Sequence, residues 1–167
     1  TSFVVCSAEL IHLIIEATDS EKAKMLINGI AYHKKPVIYP GVYDSGKGGE
    51  IIITIPGATP CFECITKSFS QQTSEVVKRE WDYTEEKPKP MPGLFSDIKI
   101  VVSRSVKLAL AVLTSGSKDS FFGKVTEPGC SMLLIGNEAD FFIFDKPFQE
   151  IWVETEINPE CSCQTLC

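Results

Sequence analysis

Two groups of cysteines, roughly a hundred residues apart, constrain this chain more than anything else in it. Cys61 and Cys64 form a tight Cys-x-x-Cys, and Cys161, Cys163 and Cys167 stand near the far end. A Cys-x-x-Cys turn lets two thiolates approach one ion from the same side, and a second group supplies the other two corners of a tetrahedron. Four thiolates leave no open position for water or substrate, so such a site is structural. The expectation is one zinc ion held by Cys61, Cys64 and two of Cys161, Cys163 and Cys167. The Cys161-x-Cys163 spacing is tighter than usual, which keeps Cys163 with Cys167 open as the second pair. Disulfides and simply buried thiols are the competing readings of the same residues.

Composition favours the metal. Seven cysteines are an odd number, in a chain of 167 residues that is long enough to fold without disulfide staples. A reducing, cytoplasmic setting follows as the expectation. Sixteen Lys and Arg against 22 Asp and Glu give a net charge of -6, and no basic stripe occurs locally, so nucleic acid is not an expected partner. The best apolar run, from Leu10 to Ala17, is interrupted by His12 and Glu16 and is too short to span a bilayer. No basic, then apolar, leader opens the chain. Its first residue is Thr1 rather than Met, which reads as a fragment or a trimmed chain.

The apolar runs at Val4-Val5 and Leu13-Ile14-Ile15 read as buried parallel strands. Thr18-Asp19-Ser20-Glu21 then offers an N-cap side chain and a first-turn acid. Ala23, Leu26, Ile27, Ile30 and Ala31 follow at helical spacing up to Lys34-Lys35, and Pro36 stops the helix. Val37-Ile38-Tyr39 is the next strand, completing a parallel strand–helix–strand unit. Residues 44–49 read as a turn and Glu50 to Ile55 as a strand. The charged, proline-bearing stretch 71–92 reads as the linker or loop inside the domain. Asp97 to Leu113 is an amphipathic helix with Ile98, Val101, Val102, Val106, Ala109, Leu110 and Leu113 on its apolar face. Met132–Ile135 and Phe141–Phe144 read as a hairpin, and Ile151-Trp152-Val153 as a last strand. The fold class is therefore α/β with a mixed sheet, parallel at the start and antiparallel at the end, in a single domain spanning 1–167.

This order of features resembles the C-terminal half of the ThiF/MoeB/HesA adenylating proteins, which are related to ubiquitin-activating enzymes. The strand end Ala17-Thr18-Asp19-Ser20 is similar to the family's "TDN" element. Lys24 and Asn28 stand five and nine residues after Asp19, where the family places Arg and Asn. Pro36 to Tyr43, Gly49 to Gly57 and Pro60-Cys61-Phe62-Glu63-Cys64 resemble its next strand, turn and zinc knuckle. Pro159-Glu160-Cys161-Ser162-Cys163 closes the order. The resemblance implies that Asp19 acts in catalysis and, with Lys24 and Asn28, in binding ATP and magnesium. It also implies a partner whose C-terminus is activated, a ubiquitin-like or sulfur-carrier protein, and it is compatible with a homodimer. ATP and Mg are expected only for a complete protein, because the family's Gly-rich nucleotide-binding half is missing. Gly46-Lys47-Gly48-Gly49 lacks phosphate-loop spacing, and the crossover segment 67–95 holds no cysteine to carry sulfur or a thioester.

From spacing alone, Asp19 is a helix cap, Lys24 a solvated surface lysine and Asn28 a hydrogen-bonding residue between loops. Cys6 and Cys130 read as packing thiols. His12 and His33 are too isolated to act as ligands or bases. Arg79, Trp81 and Tyr83 are contact residues for a partner or a loop folded back on the core. The reading from another class is a zinc-stapled interaction module that catalyses nothing.

Overall fold

The computed structural model describes residues 10–72, 93–115, 129–155, 157–161 and 163. In chain order the elements are β1 (Ile14–Ile15), α1 (Glu21–Ala31), β2 (Val37–Tyr43) and β3 (Gly48–Thr54). They are followed by α2 (Phe62–Gln72), α3 (Phe95–Thr114), β4 (Cys130–Gly136) and β5 (Gln149–Glu154). The strands form one five-stranded sheet in the order β1-β2-β3-β4-β5. β1 and β2 are parallel, with α1 as their crossover, and the other pairs are antiparallel. This is the mixed α/β architecture that the sequence implies.

Strand alternation divides the core into two layers. Val37, Tyr39, Ile52, Met132 and Leu134 face Ala31 of α1 and Phe62, Ile65 and Phe69 of α2. On the opposite face Ile38, Ile51, Ile53, Leu133 and Ile135 meet Val101, Leu108 and Ala109 of α3. β3 lies between β2 and β4 and is buried along its whole length. Helices on both faces exclude water from it, which is why its sequence is a β-branched run rather than an alternation.

Several sequence expectations change here. The turn after β2 is confined to a short 3-10 segment, Asp44–Gly46, so Gly48 and Gly49 belong to β3. Phe141–Phe144 is not a strand. Left-handed backbone at Asp140 and Phe142 turns the chain, and Phe141 bridges locally to Phe144 while both rings enter the core. The antiparallel partner of β4 is instead β5. The crossover segment begins inside α2, which runs on to Gln72. Its residues 73–92, with Arg79, Trp81 and Tyr83, fall outside the described residues, as do Val4, Val5, Cys6 and Cys167. Among the described residues no helix is long and apolar enough to cross a membrane.

Both helix faces are also rotated from expectation. α1 buries Lys24, Asn28 and Ala31 and leaves Leu26 and Ile30 exposed. α3 buries Val101, Ser105, Leu108, Ala109 and Ala111, with Val102, Val106, Leu110 and Leu113 exposed. α3 is apolar around more than half of its circumference, so periodicity cannot choose which stripe packs. Contact with the sheet chooses it. A Cβ on Gly49 would lie 2.6 Å from the Gly41 carbonyl oxygen and 2.7 Å from a Val101 methyl, so Val101 seats where a side chain is missing. Ser105 tolerates burial because its hydroxyl donates to the Val101 carbonyl at 2.8 Å. Gly49→Ala should therefore cost about 1–3 kcal/mol by overpacking. Gly29→Ala, where a Cβ meets nothing within 4 Å in α1, should stabilise by roughly 1 kcal/mol. Urea denaturation of both variants checks the pair, and equal effects would remove the packing argument.

Candidate metal centre

Cys61 immediately precedes α2, and its sulfur accepts a hydrogen bond from the Cys64 N–H at 3.5 Å. That is the position of a helix N-cap with sulfur in place of oxygen, and the positive end of the helix dipole favours a thiolate there. The Phe62 N–H between the two cysteines donates to Asn28 Oδ1 at 2.9 Å, so α1 holds the turn in place from below. On the other side residues 158–163 bring the remaining sulfurs in. The Cys161 N–H donates to the Asn158 carbonyl at 3.0 Å, and the Glu160 N–H to Asn158 Oδ1 at 2.9 Å.

The result is one group of four buried sulfurs, Cys61, Cys64, Cys161 and Cys163, all within 4.8 Å of one another. Cys61 Sγ lies 3.7 Å from Cys161 Sγ, and Cys64 Sγ lies 3.7 Å from Cys163 Sγ. Metal–sulfur bonds of about 2.3 Å in a tetrahedron require sulfur separations of about 3.8 Å, so the donor set and its spacing fit one metal ion. Cys163 stands beside Cys161 in this group, and Cys167, the alternative ligand, is outside the described residues.

The electrostatics point the same way. Burial, then the neighbouring thiols, push Cys64 up, although the Asn158 N–H opposes this. Burial and the Cys161 thiol push Cys163 up to about 11. Burial also works against ionising Cys161. Hydrogen bonds from the Cys163 N–H and the adjoining thiols outweigh it and hold this thiol below its ordinary value. Four thiolates cannot ionise this close together without a cation. Tyr32 packs against the sulfurs, its hydroxyl donating to the Thr59 carbonyl at 2.7 Å. Burial and the nearby thiolates push that phenol up to about 12, so it stays a neutral donor.

The other candidate residues lie at the C-terminal end of β1. Asp19 is exposed in the loop between β1 and α1. It is not the cap of α1: Ser20 is, its hydroxyl accepting from the Ala23 N–H at 3.3 Å. Lys24 is not a surface lysine either, being only 4% exposed. The residues facing it were missed in the sequence, because a charged residue in a strand or beside one reads as a solvent-facing position. Glu50, on the sheet face under α1, is 6% exposed and lies over Gly41, where a Cβ would meet its Cγ at 3.2 Å. Glu16, also buried, accepts hydrogen bonds from the Thr18 N–H and hydroxyl through Oε1, and its Oε2 has no hydrogen-bond partner. Burial holds the Glu50 carboxyl above its ordinary range, with the Tyr43 hydroxyl and Lys24 opposing and Glu21 assisting.

No family model matches the chain, and no curated protein matches it. Solved structures do. A crystal structure of E. coli MccB with AMPCPP and MccA is 17% identical, with a TM-score of 0.54, over 93% of this chain and 40% of that one. Microcin C7 biosynthetic enzyme MccB with N-formylated MccA is 15% identical, with a TM-score of 0.51, over 93% of this chain and 42% of that one. The heterocyclase TruD is 15% identical, with a TM-score of 0.58, over 91% of this chain and 22% of its own. At these identities the likeness is one of fold. The chain spans about 40% of the length of the first MccB structures it matches.

The buried Glu50 carboxyl predicts a pH signature. In the unfolded chain a glutamate loses its proton near its ordinary value of 4.5, whereas the folded protein retains it to higher pH. The native state then binds more protons, so this residue's contribution to stability declines as pH rises above the unfolded value. Glu50→Gln should match the wild type at about pH 4 and be the more stable protein at about pH 7–8, by thermal melts. A wild type that gained on the variant with rising pH would instead make Glu50 a carboxylate ion-paired to Lys24.

Proposed function

We propose that this chain is the metal-clipped portion of an ATP-dependent adenylating protein, in which Asp19 serves the nucleotide. The observation that carries this reading is the position of Asp19. It is an exposed carboxylate at the C-terminal end of the parallel pair, ahead of a helix N-terminus, where open α/β sheets place ligands. A crystal structure of E. coli MccB with ATP shares this fold, with 17% identity and a TM-score of 0.54. The reaction would join a carboxylate to the α-phosphate of ATP with loss of pyrophosphate, giving an acyl-adenylate. In it, Asp19 would hold magnesium as a hard oxygen ligand, and the ion would offset phosphate charge. The carboxylate would be the C-terminus of a carrier protein or of a peptide, since the similar structures include MccB with MccA.

Lys24 and Asn28 support this site from beneath. Lys24 is buried within electrostatic reach of Glu50 and Glu21, and Asn28 is committed to the Phe62 N–H. Their part in nucleotide binding is to fix α1, and with it the Asp19 loop. The ion in the sulfur cluster would be zinc, which four thiolates in a tetrahedron select. As a closed structural site it would contribute folding energy and no chemistry.

Two measurements test the reading. The natural full-length protein should catalyse ATP–pyrophosphate exchange with a suitable peptide or carrier protein. Asp19→Ala should lower that exchange by roughly a hundredfold or more at unchanged stability. Normal exchange by the variant would remove Asp19 from the site. Separately, protein purified without added metal should carry about one zinc per chain, and Asn28→Ala should weaken zinc binding by about 10–100-fold in chelator competition. A zinc content near zero would reject the centre.

A further inference from the structure

Two contacts within the sulfur group bridge its two halves. Both 3.7 Å contacts, Cys61 to Cys161 and Cys64 to Cys163, run between the start of α2 and the C-terminal segment, across 100 and 99 residues of chain. A disulfide needs its sulfurs at about 2.05 Å, so the sulfurs of each cross pair must close by roughly 1.7 Å. Inside α2 the Cys64 N–H holds the Cys61 sulfur as a cap acceptor, a contact that a Cys61–Cys64 bridge would have to break. Cys161 and Cys163 each keep 8% exposure against 1% for Cys61 and Cys64, so the C-terminal pair is the less deeply buried half of the cluster.

We infer that this centre is redox-convertible: a hydroperoxide expels the metal ion and closes Cys61–Cys161 and Cys64–Cys163 as disulfides, so the same two segments stay tied in both states. The inference rests on the reading of the cluster as a zinc clip and is independent of the adenylation reading. In each pair one thiolate attacks the peroxide and becomes a sulfenic acid, releasing water once a proton is supplied. The partner thiolate then attacks that sulfur, and the second oxygen leaves as water with another proton. Two thiolates, two protons and one hydrogen peroxide thus give one disulfide and two waters. Two such events consume all four ligands and free the ion, because disulfide sulfur is no longer an anionic donor.

The fold should survive the exchange. Chelation of the reduced protein cuts the tie between α2 and the C-terminal segment, whereas oxidation replaces it with two covalent links across the same gap.

The test treats the zinc-loaded protein with hydrogen peroxide and follows zinc with a chromogenic chelator and thiols by titration. About two equivalents should release one zinc and consume four thiols. Circular dichroism should be retained, and dithiothreitol with zinc should reverse the change. Non-reducing digestion with a Glu-specific protease, which can cut at Glu63 and Glu160, should show each half of the Cys-x-x-Cys linked to the C-terminal peptide. A Cys61–Cys64 bridge, sulfinic acids, or zinc loss with unfolding would overturn the inference. Two double variants read the pairing directly in the reduced, metal-free state. Cys61→Ser with Cys161→Ser leaves the matched pair Cys64 and Cys163. Cys61→Ser with Cys163→Ser leaves the crossed pair Cys64 and Cys161. The matched pair should form its disulfide at least about tenfold faster, and equal rates would refute the assignment. If purified protein holds no zinc, the clip reading fails, while the two double variants still decide the pairing.

Discussion

The C-terminal segment is held to the body of the protein by sulfur. Around Cys161 and Cys163 the buried apolar neighbours are Tyr32, Cys61 and Cys64, a small cluster apart from the two large layers that cover the sheet. Residues 157–161 and Cys163 add no strand to the sheet and make a few local hydrogen bonds through Asn158. So little apolar area contributes modestly to stability, and four thiols left without an ion repel one another once ionised. A bound metal would convert that repulsion into a tie between α2 and the C-terminal segment.

Beneath the centre, α1 is positioned by a polar contact as well as by the packing of Met25, Ile27 and Ala31. Asn28 hydrogen-bonds the backbone of the cysteine turn, and Lys24 is buried, while Leu26 and Ile30 face outward. Buried polar groups specify geometry because an unmatched one is costly, so a slip of α1 by a residue would leave Asn28 and the Phe62 N–H without each other. The same helix begins at Ser20, directly after Asp19. The cysteine turn, the buried polar residues and the Asp19 loop therefore meet on one helix.

Much of the architecture is legible in the residues. The apolar runs at Leu13, Val37 and Glu50, the helix after Ser20 and the terminal Ile151 strand are where local pattern puts them, and the Cys-x-x-Cys announces a metal site. The errors have a common cause. Phe141–Phe144 has strand composition but lies on left-handed backbone, and its rings serve as packing for the other strands. Val102, Val106, Leu110 and Leu113 have core spacing but lie on the outer part of a helix that is apolar over too much of its surface. Glu16, Lys24 and Glu50 look solvent-facing because charge usually is, and no local pattern shows that they are covered by one another's elements.

What the sequence determined by itself is the set of possibilities: strand and helix periods, the parallel unit at the start and the cysteines able to share an ion. Those follow from local backbone preference and side-chain chemistry, which need no partner. Only the tertiary structure decided which of them are used. It paired β4 with β5, turned Val101 toward Gly49, buried both Lys24 and Glu50 and brought Cys161 and Cys163 beside Cys61 and Cys64. Each of these depends on groups far apart in the chain meeting at contact distance, where packing and desolvation outweigh local preference by several-fold.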